Sequence, residues 1–122
     1  MNVVDSSGWL EYFGKGPHGD HYIPLIRDSV HLIVPVVCIY EVFKRVLQLR
    51  DEEDALKAIG LMTTGQVVEL SQEIALQAAL LSIEHRLPMA DSMILSTARQ
   101  HGATLWTQDE HFKGLEGVEY IG

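Results

Sequence analysis

The sequence predicts an α/β fold in which a central, mostly parallel sheet carries helices on both faces. Short apolar runs typical of buried strands alternate with longer segments whose apolar residues recur every three or four positions. The chain has 122 residues, close to the usual size of one domain, and 47% of them are apolar, enough for a core. We therefore predict a single domain over residues 1–122, without repeats or linkers.

Composition limits where such a chain acts and what it binds. No apolar run approaches the roughly 20 residues that a membrane helix needs, and the first five residues do not resemble a signal peptide. Cys38 is the only cysteine, which fits a reducing cytoplasm. The net charge of −8 opposes long-range attraction of nucleic acid, so a nucleic-acid function would need local bases, bound cations or oligomerisation.

In the first half of the chain, each predicted strand is followed by helices. Ser6 or Ser7 is expected to cap the first helix, because a hydroxyl accepts from the free amides of a first turn. Pro24 is expected to kink the second helix or to mark its start, and Pro35 suits the start of the third. The segments are strand 2–4, helix 6–13, helix 18–28, strand 30–34, helix 36–50 and a helix beginning at residue 51.

In the second half, Ser71 is expected to cap a helix that ends at His85. Apolar residues, including Leu80, cover much of that helix, so we expect it to lie in the core. Pro88 and Gly102 suit the start and end of the next helix. The segments are strand 66–70, helix 72–85, helix 89–101, strand 103–106, a turn or short helix at 109–112 and an edge strand at 118–121.

Four acids from distant positions are predicted to meet at one edge of this sheet. Asp5 follows the first strand and Asp109 follows the strand at 103–106, while Asp91 begins a helix and Glu41 lies early in another. In a parallel sheet, ligands bind beyond the C-terminal ends of the strands, where helix N-termini also lie. No cluster of Lys or Arg in the same segments neutralises these acids.

Such a cluster favours a bound cation. Two carboxylates ~4 Å apart repel by about 4 kcal/mol at an effective dielectric of 20. Oxygen ligands without thiols or paired histidines select hard cations, Mg²⁺ or Mn²⁺. These ions activate water and stabilise the leaving oxygen of a phosphodiester. Ser6 and Thr107 are positioned to add hydroxyl contacts.

Each acid also has an ordinary structural interpretation, and these alternatives stay open at this point. Asp5 and Asp109 suit turn or helix caps, Asp91 suits the positive end of a helix, and Glu41 suits an i,i+4 pair with Arg45. The histidines give no competing zinc site, because neither His101 nor His111 has metal-ligand spacing and His111 lies in a surface-like turn.

Taken together, the motifs resemble a known family. They are D-S-S at Asp5, an acid in a helix after V-P at Glu41, L-P-M-A-D-S-M-I-L-S-T-A-R around Asp91 and T-Q-D-E-H-F around Asp109. This set resembles the PIN domain, and more closely the VapC-type toxins of toxin–antitoxin pairs. The resemblance covers essentially the whole chain.

The resemblance implies an endoribonuclease that depends on Mg²⁺ or Mn²⁺ and cleaves RNA. It makes Asp5, Glu41, Asp91 and Asp109 the catalytic and metal-binding acids, with Thr107 as a supporting hydroxyl. It also implies a homodimer held inactive by a cognate antitoxin. The antitoxin segment would occupy a groove, for which the candidate residues are Trp9, Tyr12 and Phe13. Mild departures from the family pattern are Ser92, often Ala, and Gln108, often Asn or Arg.

Two other functions remain to be weighed. A non-catalytic PIN-like module would act by binding its antitoxin, although the intact acid set counts against it. A receiver-like phospho-acceptor also has acids at strand ends, but it needs an acid pair after the first strand, and here Asp5 is followed by two serines. For a nuclease, the candidate phosphate contacts are Lys44, Arg45, Arg86 and Arg99.

Overall fold

Five short strands and six α-helices alternate along the chain, as the sequence predicts. The structure is a computed structural model that describes residues 1–122. Two single turns of 3₁₀ helix, Ser29–His31 and Glu110–Phe112, complete it. The strands are β1 (Asn2–Val4), β2 (Leu32–Pro35), β3 (Gln66–Val68), β4 (Thr104–Thr107) and β5 (Val118–Tyr120); the helices are α1 (Ser6–Phe13), α2 (Gly19–Arg27), α3 (Val36–Leu49), α4 (Glu52–Met62), α5 (Gln72–His85) and α6 (Met89–Gln100).

The strands form one sheet in the order β3–β2–β1–β4–β5, and every neighbouring pair is parallel. Val3 in the central strand pairs with Ile33 on one side and Leu105 on the other. The chain builds outward from β1 to β3 and then crosses back to β4. Because parallel crossovers are right-handed, this reversal places helices on both faces. The predicted fold class is confirmed.

The central strands are buried from both faces, which explains their continuous apolar sequences. Val3, Val4, Ile33 and Leu105 are fully or almost fully buried, and Trp9 of α1 packs into the same core. Strand β5 lies at the edge, as predicted. None of the helices is long and apolar enough to cross a membrane.

The prediction that the second strand begins at Val30 is wrong. Val30 lies in the 3₁₀ turn, where it is 79% exposed, and β2 begins two residues later. Local hydrogen bonds hold the turn: the amide of His31 donates to the Asp28 carbonyl (3.1 Å), and His31 Nδ1 lies 2.9 Å from the Asp28 carboxylate. These contacts outweigh the preference of valine for strands. Pro24 lies inside α2 and does not mark its start.

Helix α5 is less buried than its sequence suggests. Ser71 caps it, as predicted, by accepting from the Ile74 amide at 3.1 Å. One face packs on the core, but Leu76, Leu80 and Ile83 on another face are 60%, 60% and 82% exposed. The prediction of a core position for Leu80 is therefore wrong within this chain. Composition alone did not distinguish a helix buried all round from one with a second, uncovered apolar face.

Candidate functional site

The predicted acidic site lies where the order of the strands reverses. Strand β1 and strand β4 are neighbours in the sheet, yet the chain leaves them toward opposite sides. Asp5 follows β1 directly and Thr107 ends β4. Open α/β sheets bind ligands at such a reversal, beyond the C-terminal ends of the strands. The topology alone thus identifies this edge as the place for a site.

Asp5 is buried and held by three donors. The Ser7 hydroxyl donates to Oδ1 at 2.7 Å, the Gly8 amide donates to the same oxygen at 3.1 Å, and the Thr107 hydroxyl donates to Oδ2 at 2.9 Å. Burial raises the pKa of Asp5 to about 6, although these hydrogen bonds favour the charged form and limit the rise. Asp5 is therefore fixed in place on both of its oxygens.

Asp5 also caps α1, so the prediction of a serine cap is wrong. Both serine hydroxyls have other partners: Ser7 donates to Asp5 and Ser6 donates to Glu41 Oε1 at 2.6 Å. The cap and the predicted site residue are one and the same, so the two interpretations of Asp5 are compatible. Gly8 lets α1 pack closely against Tyr22 of α2, because a Cβ at this position would lie 2.6 Å from the Tyr22 ring.

Glu41 joins α3 to this arrangement through Ser6. It lies in the second turn of α3, above the buried Cys38, and it is half-buried. The structural alternative paired Glu41 with Arg45, but Arg45 donates instead to Gln48 at 3.3 Å. The hydroxyl of Ser6 thus bridges two segments that lie 35 residues apart, which supports the prediction that it is a supporting residue.

Asp109 lies two residues beyond β4. Its amide donates to the Thr107 hydroxyl at 2.9 Å, so one threonine contacts both Asp5 and Asp109. Its Oδ1 accepts from the His111 amide at 2.9 Å and caps the 3₁₀ turn. The side chain remains 28% exposed. Asp109, like Asp5, combines a capping role with a place in the acid cluster.

Asp91 lies in the first turn of α6 and shares its surroundings with the other acids. Burial, the negative charge of Asp109 and the charges of Asp5 and Glu41 together raise the pKa of Asp91 to about 7, while His111 opposes the rise. The negative charges of all three other predicted acids therefore act on the Asp91 carboxyl. This is much more than the helix-start acid of the structural alternative.

His111 is a site residue that the sequence did not reveal. Its Nδ1 lies 3.1 Å from Asp91 Oδ2 and 3.0 Å from Asp109 Oδ1. The neighbouring charge of Asp109 raises the pKa of His111, and Asp91 adds to the rise. The signal was the Asp-x-His spacing, since a capping Asp brings a side chain two residues later beside its own carboxylate. No Lys or Arg forms an ion pair with the four acids.

The donors fit a divalent cation. Asp91, Asp109 and His111 each offer one ligand atom, and these atoms all lie within 4.8 Å of one another. Asp5 and Glu41 do not belong to this group of three. Thr107 links Asp5 to Asp109 by hydrogen bonds, and the charges of Asp5 and Glu41 both raise the pKa of Asp91. Carboxylate oxygens are the usual ligands of hard divalent cations. The acid cluster can therefore hold such an ion.

The two departures from the family pattern leave the acids untouched. The Ser92 hydroxyl donates to the Met89 carbonyl at 2.7 Å, within its own helix. The Gln108 side chain accepts from the Tyr22 hydroxyl at 3.3 Å. Both side chains thus have partners outside the acid cluster.

The family model that describes the PIN domain matches residues 3–118, nearly the whole chain. The chain belongs to the PIN domain family. The resemblance inferred from the four motifs is confirmed, and the receiver-like alternative is ruled out. No curated protein sequence matches the chain significantly.

Solved structures share the fold of this PIN domain. A toxin–antitoxin complex from Klebsiella pneumoniae matches with a TM-score of 0.83 and 21% identity, over 99% of this chain and 100% of that one. VapC20 of Mycobacterium tuberculosis, a toxin that cleaves the sarcin–ricin loop, matches with a TM-score of 0.78 and 18% identity, over 98% and 99%. VapBC2 of Rickettsia felis, bound to a promoter DNA fragment, gives 0.76 and 16%, over 98% and 97%.

Proposed function

We propose that this PIN domain is a VapC-type endoribonuclease toxin of a type II toxin–antitoxin pair, acting on RNA in the cytoplasm with Mg²⁺ or Mn²⁺. The observation that carries the proposal is the geometry of the acid cluster: Asp91, Asp109 and His111 offer ligand atoms within 4.8 Å of one another, and Thr107 joins Asp5 to Asp109. A cluster of like charges at the ligand-binding edge of a sheet is what a cation site requires. Its fold is that of toxins in such pairs.

The roles of the four acids follow from their geometry. Asp91 and Asp109 offer oxygens within 4.8 Å of each other and are the principal cation ligands. Asp5 is the buried third carboxylate, and Glu41, held by Ser6, would bind the cation or orient the attacking water from the side of α3. A bound divalent cation lowers the pKa of that water and stabilises the leaving oxygen of the phosphodiester.

Supporting hydroxyls fix the acids before any substrate arrives. Thr107 contacts the Asp5 carboxylate and the Asp109 amide, so it sets the distance between the two strand ends. Ser6 does the same between α1 and α3. Such preorganisation means that the acids need not move when charge develops in the reaction.

The approach of RNA depends on where the nine basic residues lie. Lys44 and Arg45 are exposed one turn beyond Glu41 on α3, so they are the best-placed phosphate contacts. Arg99 is a poorer candidate, because it lies two turns beyond Asp91 and donates to the Glu116 carbonyl at 3.0 Å. Arg86 ends α5 in a left-handed conformation with φ of 56° and is exposed. We retain it as a candidate.

A groove of about 450 Å³ between α1, α3 and α4 is the proposed seat of the antitoxin segment. Trp9 does not line it, because that side chain is fully buried in the core, and Tyr12 does not line it either; Phe13 does. The floor is apolar, and the rim carries four basic residues and one acid, Asp54, which lies 3.8 Å from Arg50. Because bases outnumber acids on the rim, an amphipathic segment with acidic residues fits it best. The floor comprises Leu10, Phe13, Val46, Leu49, Ala58 and Leu61, and the basic rim comprises Lys15, Arg45, Arg50 and Lys57.

The exposed apolar face of α5 is the proposed homodimer contact. Leu76, Leu80 and Ile83 recur at helical spacing on one side of α5 and are all largely exposed. A two-fold axis lets the same face cover itself, which is the commonest way to bury such a stripe. Light scattering of Leu80→Lys against the unchanged chain tests this: the variant should be a monomer where the parent is a dimer.

The decisive experiment is a map of cleavage sites. The purified chain is incubated with total RNA, with Mg²⁺ or with chelator, and the new 5′ ends are sequenced. Asp91→Asn is compared with Glu73→Gln, an exposed acid in the first turn of α5 that serves as the matched control. Discrete cuts that vanish with chelator and with Asp91→Asn, but persist with Glu73→Gln, are the expected result.

The opposite result would assign another function. If a folded, antitoxin-free preparation produces no ends that depend on both metal and Asp91, the nuclease proposal fails. The groove would then remain as the functional feature, and the chain would be a partner-binding module. Retention of cleavage by Asp91→Asn with cation binding unchanged would overturn only the role given to that residue.

A further inference from the structure

The imidazole of His111 lies between two of the acids at the proposed cation site. Its Nδ1 is 3.0 Å from Asp109 Oδ1 and 3.1 Å from Asp91 Oδ2, and these three residues offer ligand atoms within 4.8 Å of one another. The ring is 57% exposed while the two carboxylates are 28% and 14% exposed, so the nitrogen lies on the solvent side of the pair.

These separations suit neighbouring ligands of one ion. Ligand atoms about 2.1 Å from an octahedral cation and at right angles to each other lie about 3 Å apart. The two nitrogen–oxygen distances are already at that value. Two of the three separations between ligand atoms therefore already suit a single ion, and the third is no longer than 4.8 Å.

The local fold fixes the histidine in this position. Asp109 caps the 3₁₀ turn by accepting from the His111 amide at 2.9 Å. The next residue, Phe112, is fully buried and anchors the turn to the core. The backbone of His111 is thus held from both sides, and its ring reaches Asp91, which lies 20 residues earlier on α6.

We propose that His111 Nδ1 is a direct ligand of the divalent cation, beside Asp91 and Asp109, and that this nitrogen makes the site prefer Mn²⁺ to Mg²⁺. The inference rests on the cation site of the proposed function and adds to it a ligand and a metal preference. The competing role for the same geometry is a counter-ion, in which the protonated ring pairs with the acids and binds no metal.

The choice of metal follows from the donor atoms. Mg²⁺ binds oxygen ligands and keeps several waters, so a nitrogen donor adds little to its binding. Imidazole suits transition metals, whereas carboxylates suit both Mg²⁺ and Mn²⁺. Of these two ions only Mn²⁺ is a transition metal, so a nitrogen donor added to carboxylates favours it. A site made only of carboxylates has no nitrogen donor with which to distinguish Mn²⁺ from Mg²⁺. A site of two carboxylates and one imidazole has such a donor.

The first measurement is the affinity for each metal alone, by calorimetry on the full chain. His111→Gln offers an oxygen in place of the nitrogen. His31→Gln is the matched control, because His31 is also exposed and also lies 2.9 Å from a carboxylate, that of Asp28, in the turn between α2 and β2. His111→Gln should lower Mn²⁺ affinity by about tenfold or more and change Mg²⁺ affinity by less than about twofold. His31→Gln should change neither.

The second measurement detects the metal–nitrogen bond itself. Pulsed electron paramagnetic resonance of bound Mn²⁺ reports coupling to a ligand nitrogen, and labelling the six histidines with ¹⁵N shifts that coupling. The expected result is a histidine coupling in the parent chain and in His31→Gln that disappears in His111→Gln. Thermal melts establish that each variant is folded.

The outcomes separate this inference from the proposed function. Bound Mn²⁺ without a histidine coupling, or a coupling that survives in His111→Gln, overturns the ligand role and leaves the acid site intact. An equal loss of Mg²⁺ and Mn²⁺ affinity in His111→Gln overturns the metal preference. If the parent chain binds neither metal, both the inference and the cation site of the proposed function fall.

Discussion

The two halves of the site contain the same kind of residue but hold it differently. In the anchored half, Asp5 is buried and accepts from Ser7, Gly8 and Thr107. In the open half, which comprises Asp91, Asp109 and His111, the side chains are partly exposed and interact mainly by charge. Burial raises the pKa of the carboxyl in both halves, to about 6 for Asp5 and about 7 for Asp91.

The two halves differ in what opposes the rise in pKa that burial causes. Three hydrogen bonds favour the charged form of Asp5, and the same bonds cap α1, so this carboxylate contributes to the fold as well as to the site. Asp91 has a single side-chain partner, His111 Nδ1 at 3.1 Å. The charge of Asp109 adds to the effect of burial on its pKa, and His111 alone offsets it. Changes in the anchored half should therefore cost stability, whereas changes in the open half should cost activity.

The largest expected effect is on activity in the open half. Asp109→Asn keeps an oxygen that accepts from the His111 amide, so the 3₁₀ turn stays capped. It removes the charge that the cation requires, so RNA cleavage should fall by at least about a hundredfold while the melting temperature is retained. Cleavage assays and thermal melts on the same preparation measure both.

Asp51→Asn is the control for that change. Asp51 caps α4 by accepting from the Asp54 amide at 2.8 Å and lies outside the site. It should keep both cleavage and stability. If Asp109→Asn keeps cleavage too, Asp109 is a capping residue alone, and the structural alternative stated from the sequence is correct for this position.

The next effect is on stability in the anchored half. Gly8→Ala inserts a methyl group 2.6 Å from the Tyr22 ring and 2.7 Å from a Val4 methyl. Both neighbours are fully buried, so the helix must shift, and the free energy of unfolding should fall by about 2 kcal/mol. Urea unfolding measures it. Gly60→Ala in α4 is the control: nothing lies within 4 Å of the added atom, so that variant should gain stability.

A smaller loss is expected when one donor to Asp5 is removed. Thr107→Val keeps the shape of a fully buried side chain but leaves Asp5 Oδ2 without its hydroxyl donor and the Asp109 amide without its acceptor. The free energy of unfolding should fall by about 1–2 kcal/mol. Thr104→Val in the same strand is the control, because the Thr104 hydroxyl has no partner to lose. Equal effects of the two substitutions would show that Thr107 does not anchor Asp5.

The sequence predicted the features that depend on local pattern and on topology. Strand alternation with helices identified the parallel sheet, and the four acids at strand and helix ends identified the edge where Asp5, Glu41, Asp91 and Asp109 meet. The prediction of the sheet is confirmed, and the acids share one edge of it because parallel strands bring distant termini together whatever the intervening sequence is. Their roles as site residues remain a prediction.

The sequence did not predict the features that depend on which atoms face each other across the chain. The serines beside Asp5 looked like caps, yet their hydroxyls are used by Asp5 and by Glu41, which lies 35 residues from Ser6. His111 looked like a turn residue because its partner Asp91 is 20 residues away. The exposed face of α5, with Leu80 on it, looked like core because composition does not say what covers an apolar face.

The smallest expected effect is a gain in stability on substitution of Asp91, whereas substitutions in the anchored half should lower stability. The pKa of Asp91 in the folded chain is about 7, above its unfolded value, so the fold holds this proton more tightly than the unfolded chain does. Its contribution is favourable below the unfolded pKa and is lost as pH rises toward 7, where charged Asp91 faces Asp109, Asp5 and Glu41. Only His111 opposes that repulsion.

Asp91→Asn removes the repulsion. In chelator at pH 8 the variant should be more stable than the parent chain by about 1 kcal/mol, a value reduced for solvent screening because Asp91 is only partly buried. At pH 5 the folded chain keeps the proton but the unfolded chain has largely released it, because pH 5 lies above the ordinary pKa of 3.8. The difference should therefore fall to about half its value at pH 8 without vanishing. Urea unfolding at the two pH values measures this, with Glu73→Gln as the control. Loss of an acid from a first helical turn should by itself cost a few tenths of a kcal/mol. A loss of stability in Asp91→Asn at pH 8 would therefore mean that the helix end, rather than the acid cluster, dominates the energetics of Asp91.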